Sequence, residues 1–152
     1  MAELLGTHGY QLDPKGRISL PAKFREAFAD GCWLTIGQDG CLFAFPRAEW
    51  QRRAAEVASP PLSDADARAY QRLFFGSSEE AALDAQGRLT IPARLRDAVG
   101  LGREVVVVGV YDRMEIWDRR SFERYERTYA GAYTAGTLAP ASGSLVGGRV
   151  VR

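Results

Sequence analysis

The chain has 152 residues, of which 46% are hydrophobic and 26% charged, and its 20 basic and 19 acidic side chains give a formal charge of +1. This composition predicts a globular protein, made of one domain or two small units, and excludes a disordered chain. The near-zero charge excludes a protein that holds nucleic acid by bulk positive charge, although a local basic patch would not change the total.

The residues that most often carry catalysis or bind metals are few. The chain contains two cysteines, Cys32 and Cys41, and one histidine, His8. A structural zinc site takes about four ligands, so no metal site, cofactor or catalytic residue is predicted. The N-terminal residues do not resemble a signal peptide, and the apolar run 105–110 is far shorter than the roughly 20 residues that span a bilayer. We therefore expect a soluble, cytoplasmic protein with no membrane partner and no small-molecule substrate.

The first elements along the chain predict a small β-rich unit. A strand over residues 9–12 meets the turn sequence Asp-x-x-Gly-Arg, in which Asp13 accepts backbone N–H groups and Gly16 supplies a positive φ. A second strand over 17–20 precedes a short helix with Pro21 at its first position. A hairpin that turns at Asp39-Gly40 and a final helix complete the unit. The apolar stripes of its two helices are Phe24 with Phe28, and Trp50 with Ala54 and Val57.

This unit occurs twice in the sequence. Residues 12–25, LDPKGRISLPAKFR, recur as residues 83–96, LDAQGRLTIPARLR, with identity at seven of the 14 positions. The second copy predicts strands over 81–83 and 88–91, a helix opened by Pro92, and a hairpin that turns at Asp112-Arg113. Its last helix has a predicted buried stripe of Phe122, Tyr125 and Tyr129.

The regions outside the two copies differ in composition. The connector begins with Pro60 and Pro61, and Ser63 to Asp66 reads as a capping box that opens a helix through Phe74. After Tyr133 the chain is rich in Gly, Ala, Ser and Thr, which predicts no stable fold. The predicted organisation is a first repeat over 5–57, a connector with a helix over 58–79, a second repeat over 80–130 and a disordered tail over 131–152. Because each repeat is too small to bury a core alone, we expect the two to pair about a pseudo-twofold axis.

The Gly-Arg turns carry the candidate chemistry. The pseudo-twofold axis would place Arg17 and Arg88 on one surface, where arginine can bind phosphate oxygens or guanine in a bidentate manner, and the turn amides beside glycine can also bind phosphate. The alternative is structural, with Asp13 and Asp84 capping the turns and the two arginines as their salt-bridge partners. For Arg25 and Arg96, which follow on the short helices beside acidic residues, ion pairing at the edge of the core is the favoured interpretation.

The doubled motif resembles the MraZ family of bacterial transcriptional regulators, built from two tandem domains similar to the AbrB-type (SpoVT-AbrB) swapped-hairpin DNA-binding fold. The segments that carry the resemblance are 13–25, 39–43, 67–75, 84–92 and 108–117. The resemblance implies a mixed α/β, mainly β fold with additional helices, in which two tandem half-units pair as a swapped-hairpin barrel. It is not the pattern of an enzyme family.

The resemblance also implies a function and a site. Members bind double-stranded DNA at short direct repeats, upstream of the division and cell-wall gene cluster, as ring-shaped homo-oligomers associated with the nucleoid. The implied DNA-binding residues are Lys15, Gly16, Arg17, Gly87 and Arg88. Gln86 stands where the first repeat has lysine, so the second loop is less basic.

Two other function classes remain at this point. An AbrB-like fold also serves antitoxins, which are protein-interaction modules, and the Gly/Ala-rich tail would suit that role although it has few apolar and acidic anchors. A phosphate-ligand binder or an enzyme would use the same loops, but Gly16 and Gly87 lie in no P-loop pattern.

The tryptophans (33, 50 and 117) and the two cysteines are predicted to be packing residues. The helix from 64 to 75 carries enough aromatic surface to suggest a subunit interface.

Overall fold

The computed structural model of this chain describes residues 3–138. Eight strands and five α-helices follow one another, with a 3₁₀ turn, Glu26–Phe28, after the first helix. The strands are β1 (Leu4–Gln11), β2 (Arg17–Ser19), β3 (Cys32–Ile36), β4 (Leu42–Pro46), β5 (Glu79–Ala81), β6 (Arg88–Thr90), β7 (Glu104–Tyr111) and β8 (Met114–Asp118). The helices are α1 (Ala22–Arg25), α2 (Arg47–Ala58), α3 (Ala65–Ser77), α4 (Ala93–Ala98) and α5 (Arg119–Thr134). The fold is mixed α/β and mainly sheet, as predicted.

The strand order has an internal symmetry. Six strands form one antiparallel sheet in the order β1-β7-β8-β4-β3-β5. The strands of the two repeats correspond as β1 to β5, β7 to β3 and β8 to β4. Each strand and its counterpart lie at the same distance from opposite edges of the sheet. At the centre, Phe43 pairs with Glu115, and it is flanked by the equivalent pairs Leu42–Ile116 and Ala44–Met114. The two repeats therefore pair about an internal twofold axis.

Both repeats contribute side chains to one hydrophobic core. The buried residues of this cluster are Leu4, Ile18, Leu20, Phe24, Phe28, Cys32, Leu34, Leu42, Ala44, Leu89, Ile91, Leu95, Val105, Val107, Met114 and Ile116. Phe24 and Leu95, on the short helices α1 and α4, hold equivalent positions and are 1% and 0% exposed. Sharing one core lets each repeat bury more apolar surface than a unit of its size could bury alone.

Helix α3 replaces part of a strand in the first half of the sheet. All eight residues of β1 pair with β7, whereas its counterpart β5 pairs with β3 along only three. Farther along β3, the buried Thr35 hydroxyl donates to the Phe74 carbonyl oxygen (2.9 Å). The Ser77 hydroxyl accepts the Ile36 N–H (3.1 Å). The end of α3 thus binds the Ile36 N–H, a backbone group at the sheet edge that a strand would otherwise pair, and also the Thr35 hydroxyl.

The tryptophans and cysteines have packing roles in the structure. Trp50 of α2 stacks on Trp33 of β3 and on Phe74 of α3, with ring centroids 6.4 and 5.2 Å apart. Its ring therefore packs α2 against both α3 and the sheet. Cys32 and Cys41 are free and buried, and burial raises the pKa of both thiols. Trp117 is 3% exposed. The predicted packing roles are confirmed for these five residues.

The starts of three helices differ from prediction. Pro21 and Pro92 are the N-cap residues of α1 and α4, with ψ of 139° and 142°, and do not occupy the first helical position. The connector helix is capped by Asp64 and not by Ser63, because the Asp64 carboxylate accepts the N–H groups of Asp66 and Ala67 at 2.9 and 3.2 Å. Each difference amounts to one residue at a helix end, where the local hydrogen bonds decide the boundary.

The two hairpins turn differently. Asp39 and Gly40 have φ of 68° and 85° and form the predicted turn of the first hairpin. In the second hairpin the residue with positive φ is Tyr111, at 71°, which the sequence pattern does not single out. Strand β1 also begins at Leu4, earlier than the predicted residue 9, because β7 is long enough to pair with all of it.

By its internal contacts the chain divides into two units, Met1–Arg119 and Arg120–Arg152. In the second unit, the predicted buried stripe on α5 is wrong: no described residue of α5 is buried, and Tyr125 and Tyr129 are 36% and 41% exposed. Their rings pack on each other, with centroids 4.8 Å apart. Residues 131–134, at the start of the predicted tail, form the last turn of α5, and 139–152 lie outside the described residues. Within residues 3–138, no helix is long and apolar enough to cross a membrane.

Candidate nucleic-acid interface

The short strands β2 and β6 bring the two Gly-Arg loops together. They pair antiparallel, with Ile18 opposite Leu89 at the centre, and these two side chains point into the core, 1% and 0% exposed. Alternate residues of a strand face opposite sides, so the other four share the outer face: Arg17 and Ser19 of β2, and Arg88 and Thr90 of β6. Arg17 lies opposite Thr90 and Arg88 opposite Ser19, so the arginines are diagonal neighbours. Such neighbours are typically about 7–8 Å apart, with their Cβ atoms somewhat closer.

The first loop is closed by its aspartate. One carboxylate oxygen of Asp13 accepts the N–H groups of Lys15 and Arg17, both at 2.9 Å. The other oxygen accepts Nε of Arg17 at 2.6 Å. The structural interpretation of the Asp–Arg pair is therefore confirmed. It leaves the Nη atoms of Arg17 without a hydrogen bond among the described residues, so the pair and a recognition role are compatible.

The second loop repeats this geometry with one difference. Asp84 accepts the N–H groups of Gln86 and Arg88 at 2.9 Å, and Nε of Arg88 at 2.8 Å. Here the Gln86 side-chain oxygen also accepts Nη2 of Arg88, at 3.3 Å. A lysine, as at position 15, could not accept this bond. The second loop is therefore less basic, and its arginine is held by one more contact.

The turn amides are not available to a phosphate. The N–H groups of Lys15 and Arg17 donate to the Asp13 carboxylate, and that of Gly16 donates to the Asp13 carbonyl oxygen at 2.9 Å. The equivalent amides of the second loop are used in the same way by Asp84. The prediction that backbone N–H groups beside the glycines bind phosphate is thus wrong, because the loop's own aspartate occupies them. On this face only side chains are left to meet an anion.

Gly16 and Gly87 are buried and shape the loops, with φ of +78° and +74°. A Cβ atom built on Gly16 would lie 2.8 Å from Nε of Arg96, and one on Gly87 would lie 2.5 Å from Nε of Arg25. The same two arginines donate to backbone carbonyl oxygens, Arg25 to Leu20 and Arg96 to Ile91. Neither forms an ion pair within residues 3–138, so the predicted ion pairing of Arg25 and Arg96 is wrong: carbonyl oxygens, and not carboxylates, lie within their reach.

The other cations near the loops differ in their surroundings. Lys15 is exposed beside Arg17. Lys23 lies over the ring of Phe24, 5.7 Å from its centroid, and Arg94 donates to the Glu79 carboxylate at 2.7 Å. Lys15, Arg17 and Arg88 are therefore the predicted cations that the structure leaves best placed to meet an anion.

Two residues of this face were not predicted as site residues. Ser19 and Thr90 are exposed, and they alternate with the arginines along the paired strands. Hydroxyl groups commonly donate hydrogen bonds to phosphate oxygens. The signal in the sequence was a hydroxyl residue at the same position in both copies, two residues after each loop arginine.

The hydrogen bonds of the loops hold the pKa of Asp13 and Asp84 below the ordinary value of 3.8, chiefly through the backbone N–H of Arg17 and of Arg88. A carboxylate with a depressed pKa stabilises the fold above its unfolded-state pKa, and this contribution is lost as the pH falls through the folded-state pKa. The loops are therefore stable at neutral pH and lose this stabilisation in acid below about pH 4.

Replacing both aspartates by asparagine (D13N, D84N) is expected to lower the free energy of unfolding at pH 7. The difference from the wild type should shrink as the pH falls through about 4, because the wild-type carboxylates then become protonated. Denaturant unfolding followed by circular dichroism between pH 7 and 2.5 measures both effects. D30N, at an exposed carboxylate, is the control and should behave as the wild type. A difference that does not vary with pH would contradict this prediction.

Comparison with known proteins finds one family model and several relatives that match most of the chain. The family model described as "MraZ protein, putative antitoxin-like" matches it twice, over residues 4–73 and 74–135. A protein of Saccharopolyspora erythraea named "Transcriptional regulator MraZ" is 48% identical over 132 residues, which cover 84% of this chain and 92% of the relative. Proteins of the same name from Salinispora arenicola and Heliobacterium modesticaldum are 50% and 40% identical, covering 80% and 85% of this chain and 85% and 90% of their own lengths.

The two matched segments meet within α3, between residues 73 and 74, and together span β1 to α5. Each contains one Gly-Arg loop, and the loops meet at the β2–β6 pair. The similarity therefore covers both halves of the symmetric sheet and the face described above. The chain belongs to the MraZ family.

Proposed function

We propose that this chain is a sequence-specific DNA-binding regulator of transcription that acts on the promoter of a bacterial division and cell-wall gene cluster. Its partners are double-stranded DNA and further copies of itself, because a ring-shaped homo-oligomer binds short direct repeats through the Asp-x-x-Gly-Arg loops of several subunits. Such a regulator works in the cytoplasm, on the nucleoid. It is not an enzyme and needs no cofactor.

The observation that carries the proposal is the outer face of the β2–β6 pair. It presents Arg17 and Arg88 as diagonal neighbours, with the hydroxyl groups of Ser19 and Thr90 between them. Both arginines face the same side of the strand pair, where an anion or the acceptor edge of a guanine could bind between them. The relatives are named transcriptional regulators, and DNA is the polyanion that such a protein meets.

The charge of the chain favours assembly. A protomer of net charge +1 with a few cations on one face binds DNA weakly, because each neutralised phosphate adds only about 0.9 to the log–log salt slope. Linking several copies raises the affinity by orders of magnitude where the DNA repeats match their spacing. A ring of such faces would therefore bind firmly where a single copy would not.

Exposed apolar side chains on α3 support self-association. Tyr70, Leu73 and Phe75 are 44%, 71% and 38% exposed, and Tyr70 and Phe75 both pack against the buried Phe74. Exposed apolar residues of this kind mark protein interfaces. We propose that the exposed part of α3 contacts a neighbouring subunit. Closure of the strands into a swapped-hairpin barrel is also part of the proposal, and the pairing of β2 from the first repeat with β6 from the second supports it.

Footprinting of the purified protein on the DNA upstream of its own gene, repeated over a series of salt concentrations, tests the function. Protection of evenly spaced short repeats, lost steeply as the salt concentration rises, is the expected result. Uniform protection of unrelated DNA, or none at low salt, would contradict sequence-specific binding.

DNA affinity should change in opposite directions when each loop is given the residue that the other has at the position of Lys15 and Gln86. Gln86→Lys adds a cation to the second loop, and we expect tighter DNA binding with a salt slope steeper by about 0.9 per subunit bound. Lys15→Gln should weaken DNA binding and reduce the salt slope by similar amounts. Gln51→Lys, an equal change of charge on the exposed side of α2, is the matched control. Gel-shift titrations over the salt series measure both quantities, and equal responses of Gln86→Lys and Gln51→Lys would oppose the loop assignment.

A second candidate function rests on the family description, which contains the term antitoxin-like. In that role the chain would bind and block a toxin protein. Affinity purification of the full chain from its native cell extract distinguishes the two functions. Stoichiometric recovery of a small toxic protein would favour the antitoxin role, whereas recovery of promoter DNA without such a partner would favour regulation.

A further inference from the structure

Two arginines outside the Gly-Arg loops each reach the loop of the other repeat. The guanidinium of Arg96, from the second repeat, covers Gly16 so closely that an added Cβ would lie 2.8 Å from its Cζ. Arg25, from the first repeat, covers Gly87, where an added Cβ would lie 2.9 Å from its Cζ. The two contacts are related by the internal twofold symmetry of the chain. Each loop is thus covered by a side chain that its own repeat does not supply.

Hydrogen bonds complete each of these contacts. The Leu20 N–H donates to the Gly87 carbonyl oxygen (3.3 Å), and the Leu20 carbonyl oxygen accepts Nε of Arg25 (3.2 Å). Since the Arg25 guanidinium also lies over Gly87, Leu20 and Arg25 of the first repeat both contact Gly87 of the second and also bind each other. In the other half, the Ile91 N–H donates to the Gly16 carbonyl oxygen (2.8 Å), and the Ile91 carbonyl oxygen accepts Nε of Arg96 (3.0 Å).

The chemistry of arginine suits this position. Its planar guanidinium can lie flat against a glycine peptide while Nε donates in the plane to a carbonyl oxygen. Lysine, a point charge on a flexible stem, cannot make both contacts. Glycine suits the position beneath it, because a Cβ there would push the guanidinium aside, and the positive φ of each loop disfavours other residues.

We propose that Arg25 and Arg96 are positioning residues that act across the repeats: Arg96 holds the loop that presents Arg17, and Arg25 holds the loop that presents Arg88. This inference rests on the proposed function, because it treats the loops as the DNA-binding elements. The two loops then act as one recognition unit, and damage to either helix arginine loosens the loop of the other repeat.

Hydrogen–deuterium exchange of the free protein tests the crossed pattern without DNA. Arg96→Ala is expected to speed exchange about tenfold in peptides covering 12–18 and to leave 83–89 unchanged. Arg25→Ala should do the reverse. Lys23→Ala and Arg94→Ala, which remove one charge from the same two helices without uncovering Gly16 or Gly87, are the controls. Arg96→Lys should behave as Arg96→Ala, and its retained charge keeps the test valid if the alanine variant does not fold.

Gel-shift titration over a salt series separates positioning from direct contact with DNA. For Arg96→Ala we expect about tenfold weaker binding with the salt slope unchanged, because the covered loop loses its shape while the phosphate contacts stay the same in number. A phosphate-contacting arginine would instead reduce the slope by about 0.9 per subunit, and lysine would restore it.

Three results would overturn the inference: faster exchange only in the loop of the mutated repeat, unchanged exchange in both loops, or rescue of both exchange and affinity by Arg96→Lys. If the wild-type protein binds no promoter DNA, the proposed function fails, but the exchange experiment still tests whether the arginines hold the opposite loops. The two failures are therefore distinguishable.

Discussion

Replacing Arg17 or Arg88 by alanine is expected to abolish the retardation of promoter DNA while the oligomer stays intact. The loss of one bidentate arginine contact costs about 1–3 kcal/mol at a single site. A ring that uses several subunits loses that contact in each of them, so the effect on avidity multiplies. The aspartate of the loop remains after the substitution and adds an uncompensated negative charge where the phosphate or base edge would lie.

The folded structure should tolerate these two substitutions. The backbone N–H groups of Arg17 and Arg88 still donate to the loop aspartates when the side chains are removed. Size-exclusion chromatography with light scattering checks the oligomer, and gel shifts check DNA binding. Arg94→Ala removes an equal charge from an ion pair outside the face and should bind normally. Normal retardation by both loop variants would refute the proposed site.

Gly109→Ala is expected to be the most destabilising single methyl addition in the sheet. Gly109 of β7 pairs with Gly6 of β1, and a Cβ on it would lie 2.5 Å from the Leu5 nitrogen and 2.6 Å from the Leu4 carbonyl carbon. These atoms belong to the backbone and cannot turn aside as a side chain can. Forcing the strands apart should cost about 3 kcal/mol, near the upper end of the range for overpacked cores.

Denaturant unfolding compares this variant with two others. Gly9 lies on β1 with nothing within 4 Å of an added Cβ, so Gly9→Ala tests the same substitution in the same strand pair without a clash. Gly76 lies near the end of α3 in open space, and Gly76→Ala should stabilise the chain by up to about 1 kcal/mol through helix propensity. A Gly109→Ala protein as stable as the Gly9→Ala protein would show that β1 moves away freely.

The repeat made much of the fold predictable. Two copies of one motif, each too small for a core, imply pairing about a twofold axis, and the palindromic sheet has this arrangement. The turn at Asp39-Gly40 and the packing roles of the tryptophans were also readable, because they depend on local geometry or on size and apolarity. Helix ends were less so: Asp64 and Ser63 both fit an N-cap, and only the hydrogen bonds made in the fold select between them.

The candidate site was predictable in its residues but not in its interactions. The sequence identified Arg17 and Arg88 and left open whether they pair with Asp13 and Asp84, because Asp-x-x-Gly-Arg fits both interpretations. The occupation of the turn amides by the aspartates, and the exposure of Ser19 and Thr90, follow from loop and strand geometry. Residues outside the loops could not be assigned, since Arg25 beside Glu26 resembles an ion pair in the sequence.

By itself, the sequence determined that the chain is a doubled unit and which cations its loops present. The near-neutral charge of +1 already pointed away from bulk electrostatic binding. Only the tertiary structure decided that Arg25 and Arg96 cross to the glycines of the opposite repeat, and that the end of α3 takes the place of a strand beside β3. Local patterns depend on neighbours in the chain, whereas these contacts join residues about 40 to 80 positions apart that meet only once the two halves share one core.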